Sequence, residues 1–226
     1  MRYLIVFTLL LAITACDNQY RSTKSFMVVD NSLRSDIGNP EVANARVRSV
    51  ISFNEGVEAR NCVEYLNNLR VYALDEAVNN QLVKSEYLSC EALALIQAST
   101  LSRFKPIEAS LIGMSLLKYL DLRTFPSSLG MRADDEAHTL DRLFPDHSYV
   151  SGYSAGFENA DWQYEVRVIA QGDLNGNDQV DWIVWLSDKS KTGNYSGYST
   201  LVVLDPSPEY EVAAMTFVEY QEKREP

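Results

Sequence analysis

"WQYEVRVIAQGDLNGNDQVDWIVWLSD", residues 162–188, sets two runs rich in β-branched and aromatic residues on either side of a polar loop. Val, Ile, Trp and Tyr favour a pleated, half-buried backbone, and the Asn, Gly and Asp between them favour a turn, so the stretch predicts a β-hairpin. Two further β-rich runs follow, "YSTLVVLD" at 198–205 and "YEVAAMTFVEY" at 210–220, separated by "KTGN" and "DPSPE". The expectation is an antiparallel meander of four strands within residues 149–222.

Upstream, the pattern changes period. "NPEVANARVRSVISFNEG" carries helix punctuation: Asn39 as N-cap, Pro40 at the first helical position and Gly56 beyond the end, which predicts a helix over 40–53. Cys62, Leu66, Leu69, Ala73 and Ala77 recur at helical spacing, and so do Leu88, Ala92, Leu95, Ile96 and Ser99 after a break at "NNQLVKSE". A further helix opens at Pro106 with Leu111, Met114, Leu117 and Leu120 on one face. The fold class expected is α+β: an N-terminal helical bundle or layer of about four helices over 40–130, a charged connector at 131–148, then the four-stranded antiparallel β-meander.

The first residues, "MRYLIVFTLLLAITAC", have a charged start, a short apolar run and small residues before Cys16. That order describes an export signal over 1–15, too short to span a bilayer as a mature helix. Ile13, Thr14, Ala15 and Cys16 resemble the lipobox of bacterial lipoproteins, which implies a lipid on Cys16, a tether over 16–39 and a periplasm-facing, membrane-anchored protein. Asp17 resembles the signal that retains such proteins in the inner membrane. With Cys16 lipidated, Cys62 and Cys90 remain to form one disulfide. The whole chain has 20 basic and 31 acidic side chains, a formal charge of −11. Without residues 1–15 there are 19 basic and 31 acidic side chains, a charge near −12. Such a field repels nucleic acid and anionic headgroups.

The loop within the hairpin has its own chemistry. Asp173, Asn175, Asn177 and Asp181, with the carbonyl of Gln179, present oxygens at alternate positions of a tight turn, as a hard cation requires. Val184 stands where an EF-hand needs its last acidic ligand. The strand, loop and strand resemble instead the calcium-loop hairpin of FG-GAP and VCBS repeats, over less than a tenth of the chain. The resemblance implies a structural Ca2+ ion. Asp178 stands where such loops commonly carry Gly, a position that often needs positive φ. A plain Asn/Gly/Asp turn is the competing reading.

Catalytic signals are weaker. "GYSAG" at 152–156 offers Ser154 in a nucleophile-elbow pattern, but both His residues lie upstream of it. "SLLK" at 115–118 and "KTG" at 191–193 lack the third element of penicillin-recognising enzymes. His138 and His147, among acidic residues, read as a solvated polar face. Aromatics are richer: Tyr149, Tyr153, Phe157, Trp162 and Tyr164 lead into the sheet, Trp182 and Trp185 fall on opposite faces of one strand, and Tyr195 and Tyr198 flank a Gly/Ser turn. Trp182, Trp185, Tyr195 and Tyr198 are the candidate binding residues. The function expected is a lipid-anchored, non-enzymatic module that binds an envelope protein. A glycan or peptidoglycan binder using an aromatic sheet face is the alternative, and a hydrolase a more distant one.

Overall fold

The computed structural model describes residues 26–99, 102 and 104–224. The lipobox and signal expected within residues 1–16 lie outside the described residues. Among the described residues nine strands run β1 (Met27–Val28), β2 (Ile51–Ser52), β3 (Glu58–Ala59), β4 (Ser148–Ser151), β5 (Ser154–Glu158), β6 (Trp162–Gly172), β7 (Asp181–Ser190), β8 (Ser196–Val203) and β9 (Met215–Thr216). Between and after them come α1 (Asn31–Gly38), α2 (Pro40–Ala45), α3 (Cys62–Leu69), α4 (Val78–Lys84), α5 (Leu88–Ala98), α6 (Ala109–Lys118), α7 (Leu140–Leu143) and α8 (Phe217–Arg224).

The expected four-stranded meander is corrected. The sheet has seven strands in the order β4-β5-β6-β7-β8-β9, with β1 on β6 beyond the end of β5, and every pairing is antiparallel. Two strands were hidden in "SYVSGYSAGFE", where Gly, Ser and Ala hide the alternation that marks a strand. Gly152 turns that hairpin with φ +54°. Gly156 has no space for a side chain: a Cβ there would lie 2.2 Å from the Tyr164 carbonyl oxygen. The fourth expected strand shrinks to two residues because "TFVE" is a capping box. The Thr216 N–H donates to Glu219 Oε2 at 2.7 Å, and the Glu219 N–H to Thr216 Oγ1 at 3.3 Å, which starts α8 instead.

Helices do not form a layer of their own before the sheet; they cover both of its faces. One core holds Val166, Val168, Trp182, Val184, Leu201 and Val203 against Ile112, Leu116, Leu120, Phe125 and Leu140. The other holds Ile169, Ala170, Ile183 and Val202 against Leu33, Ala92, Leu93, Ile96, Phe217 and Tyr220. A bulge makes this possible. Val168 pairs with Val184 and Ala170 with Ile183, so Ile169 is the extra residue, and the side-chain alternation of β6 is reset there. A third, smaller core gathers Ile51, Phe53, Tyr65 and Tyr87 around the disulfide Cys62–Cys90, which joins the start of α3 to α5.

Other sequence expectations shift at their edges. The helix expected over 40–53 ends at Ala45, and the chain turns into β2; Arg48 then bonds the carbonyls of Ala43, Arg46 and Glu86. The expected break at "NNQLVKSE" is helical through α4 and a 3-10 turn at Ser85–Tyr87. From residue 26, the expected tether is folded: Leu33 of α1 is fully buried. In α6 the predicted apolar face is split: Leu111 and Met114 are exposed, whereas Leu117 is partly buried and Leu120, just past the helix, is fully buried. Its inner face is Ile112, Gly113 and Leu116. Gly113 seats against the β4–β5 hairpin so closely that a Cβ would meet the Gly152 carbonyl oxygen at 2.6 Å.

Candidate functional site

The end of the β7–β8 hairpin and the loop 126–132 enclose a cleft of about 620 Å³. Its aromatic wall is Trp162, Tyr195 and Tyr198, joined by Pro126, Met131 and Arg132. Trp162 and Tyr195 stack on one another with ring centres 5.5 Å apart and 26° between planes. Beneath them Asp188 is fully buried. Its Oδ1 accepts from Trp162 Nε1 at 2.7 Å and Ser128 Oγ at 2.8 Å; its Oδ2 accepts from the Ser128 N–H at 2.7 Å and Tyr195 OH at 3.2 Å. One carboxylate thus pins both rings and the opposing loop, satisfying four donors in a dry place. Burial, then the charge of Asp188, pushes the Tyr195 hydroxyl up to about 12, so it stays a neutral donor. Lys189 Nζ lies 5.1 Å from the Tyr198 ring centre and gives this wall a cationic edge.

Of the aromatics expected to bind, Tyr195 and Tyr198 line this cleft. Trp182 does not: it is fully buried in the core between the sheet and α6. Trp185 is on the opposite face, half-buried, with Arg167 stacked 5.7 Å from its ring centre. Trp182 is therefore a packing residue, whereas Trp185 stands at a separate recess on the other face with Arg167 and Tyr198. Asp188 and Ser128 carried no sequence signal, because the partner of a β-strand aspartate is set by a loop 60 residues away.

The loop 173–181, where an ion was expected, joins β6 to β7 at the opposite end of β7 from the cleft. Asp173 Oδ1 accepts the N–H groups of Gly176 at 2.7 Å and Asn177 at 3.2 Å, and Oδ2 that of Asp178 at 2.8 Å. Asp181 Oδ2 accepts from the Leu174 N–H at 2.6 Å and Oδ1 from the Asp205 N–H at 2.9 Å. The Asn175 side-chain oxygen takes the Asn177 N–H at 3.1 Å, and that of Asn177 the Gln179 N–H at 2.9 Å. Gly176 has φ +83° and Asp178 φ +63°. The turn therefore closes as a set of Asx-type bonds. Asp205, which sequence spacing did not include, joins from the end of β8 and accepts from Asn177 Nδ2 at 2.9 Å.

The charges there are unbalanced. Asp173 and Asp181 are buried, and among the described residues no ion pair reaches Asp173, Asp178, Asp181 or Asp205. Burial, then the charges of Asp205 and Asp173, pushes the Asp181 carboxyl up to about 6, against the pull of its two N–H donors. Asp173 is also pushed up by burial, but the Ser102 hydroxyl and three N–H donors outweigh this and hold it below the usual range.

Asp121, His138 and Glu211 bring one ligand atom each within 4.8 Å of one another. Arg123 occupies that cluster: it pairs with Asp121 at 2.8 Å, Asp135 at 2.6 Å and Glu211 at 3.8 Å, and His138 Nε2 lies 3.0 Å from Glu211. The group is an ion-pair network joining the connector to the 205–214 loop. His147 is not part of it. Ser154 Oγ is turned into its own hairpin and donates to the Ser151 carbonyl at 3.1 Å. Ser115 donates to the Ser207 carbonyl at 3.0 Å. Neither serine has a base beside it among these contacts.

Comparison with known proteins finds no matching family, no matching curated protein and no matching solved structure.

Proposed function

We propose that this protein is a non-enzymatic binding module of the bacterial envelope, anchored through lipid on Cys16, that holds a segment of a protein partner in the cleft of Trp162, Tyr195 and Tyr198. The observation that carries the reading is the stacked Trp162–Tyr195 pair held from below by Asp188. Rings fixed before binding lose little freedom when a partner arrives, so their contact area converts efficiently into affinity. Tyr, Trp, Met and Arg, which meet at this cleft, are the residue types enriched at protein interfaces. The net charge of −11 steers a cationic partner toward the molecule.

We further read the loop 173–181 as a structural Ca2+ loop, with Asp173, Asn175, Asn177, Asp181 and the Gln179 carbonyl as ligands. The support is the clustering of buried Asp173 and Asp181 with Asp178 and Asp205, none of which pairs with a basic side chain among the described residues. An ion there would tie the β6–β7 turn to the end of β8 and hold the hairpin whose far end forms the cleft.

The test places a photo-crosslinking residue at Met131, 93% exposed at the cleft, in living cells. A discrete protein adduct, lost on Trp162→Ala, is expected. Absence of any adduct, or an adduct indifferent to Trp162→Ala, would overturn the reading. Retention on cell-wall sacculi that Trp162→Ala abolishes would move the cleft to the glycan reading, which the ring platform also suits.

A further inference from the structure

Next to the cleft, and sharing Gln81, Tyr198 and Ser199 with it, lies a second recess of about 240 Å³ between α4, α5, β8 and the start of α8. Its polar wall is an ion pair removed from solvent: the side chains of Lys84 and Glu91 are 10% and 2% exposed. Lys84 Nζ contacts Glu91 Oε1 and the Tyr65 hydroxyl oxygen, and lies 4.8 Å from the Tyr65 ring centre. Tyr65 OH donates to the same Oε1 at 2.7 Å. Both polar partners, Lys84 and Tyr65, therefore converge on one carboxylate oxygen of Glu91.

The other oxygen is left over. Glu91 Oε2 is buried and has no hydrogen-bond partner, an exception in a protein interior. An ammonium group carries three N–H bonds, and the contacts above use two. Lys84, with a third N–H beyond these two contacts, and Glu91, with an unpaired Oε2, both line the recess. Their charges cancel, so a charged ligand group would arrive with no counter-charge and lose its hydration. A neutral group with a donor beside an acceptor matches instead. The opposite wall, Leu69, Phe217 and Val218, suits a short aliphatic stem.

We propose that the recess beside Lys84 and Glu91 is a binding site for a primary carboxamide, whose N–H donates to Glu91 Oε2 and whose carbonyl accepts from Lys84 Nζ. The site stands on its own residues and does not depend on what the cleft holds. Amide-resolved NMR titration of the disulfide-bonded protein with propionamide, propionate and propylamine tests it. Propionamide shifts the Thr200 and Val218 amide signals in a saturable manner, and the two charged probes do not. In a Tyr65→Phe, Lys84→Met, Glu91→Leu variant, which replaces the buried polar set with apolar groups of similar size, the affinity falls by about tenfold or more. Should that variant not fold, Val218→Trp, at a partly exposed rim position, fills the recess and abolishes the shifts. No saturable response to propionamide, an equal response to all three probes, or survival of the response in either folded variant would overturn the proposal.

Discussion

Asp181 shows how one residue's surroundings become a property of the whole chain. Its carboxyl is driven from an ordinary 3.8 up to about 6 by burial and by neighbouring aspartates. The protonated form is therefore favoured by folding: the resulting stabilisation is complete below about pH 4 and is lost as pH rises through 6, a change on the order of 2 kcal/mol. A calcium ion acts on the opposite form, since it requires the carboxylate. Calcium should raise the melting temperature by a few degrees at pH 7.5 and have little effect at pH 5, and Asp173→Ala should remove the response. Melting curves in calcium and in EDTA at the two pH values check this, and no calcium effect at pH 7.5, or one that survives Asp173→Ala, would sink the ion assignment. Asp173→Ala should also lower stability without calcium by about 2 kcal/mol, because three loop N–H groups lose their acceptor. The alternate oxygens and the positive φ at Asp178 were readable in the sequence. Asp205 was not, because it reaches the loop only through the pairing of β7 with β8.

At the scale of elements, the β4–β5 hairpin depends on what its small residues leave out. Gly156→Ala would set a methyl 2.2 Å from the Tyr164 carbonyl and 2.9 Å from the Tyr149 hydroxyl. Backbone cannot yield there without breaking the β5–β6 ladder, so a loss of about 2–3 kcal/mol is expected. Gly193→Ala, in the exposed β7–β8 turn with only the Ser190 side chain nearby, should be nearly neutral. Urea titrations of the two variants make the comparison; similar midpoints would refute the packing account. The disulfide acts on a different element pair. It closes a loop of sequence separation 28, and in the chain-entropy model contributes about 3.5 kcal/mol. Cys62→Ser with Cys90→Ser should therefore bring unfolding to markedly lower urea while leaving both sheet cores in place.

For the whole molecule, the sheet is the shared partner of helices from both halves of the chain. α5 packs on one face and α6 on the other, so apart from the small third core the helices have no partner for their apolar sides without the strands. Residues 26–147 expressed without the strands are expected to show no cooperative melting transition by circular dichroism, and a cooperative one would show that the third core is enough to fold the helical half. Leu93→Ala, at the buried contact of α5 with the sheet, should cost about 2–5 kcal/mol in the intact chain. Its effect should appear in the unfolding of the sheet as well as of the helix, since the two share one core.

The local sequence determined the β6–β7–β8 hairpins, the turn chemistry at 173–181, the pairing of Cys62 with Cys90 and the approximate places of α3, α5 and α6. These rest on spacing, turn residues and cysteine parity, which act within a few residues or by elimination. Tertiary structure decided the rest. It turned Leu111 and Met114 of α6 outward, because Gly113 fits the hairpin more closely than either side chain could. It recruited "SYVSGYSAGFE" as two more strands, because Gly156 admits close approach. It buried Trp182 and left Trp162 and Tyr195 to build the cleft, because both faces of the sheet are covered and only the hairpin end stands clear. Those outcomes depend on surfaces brought together from distant parts of the chain, and no window of sequence contains both partners.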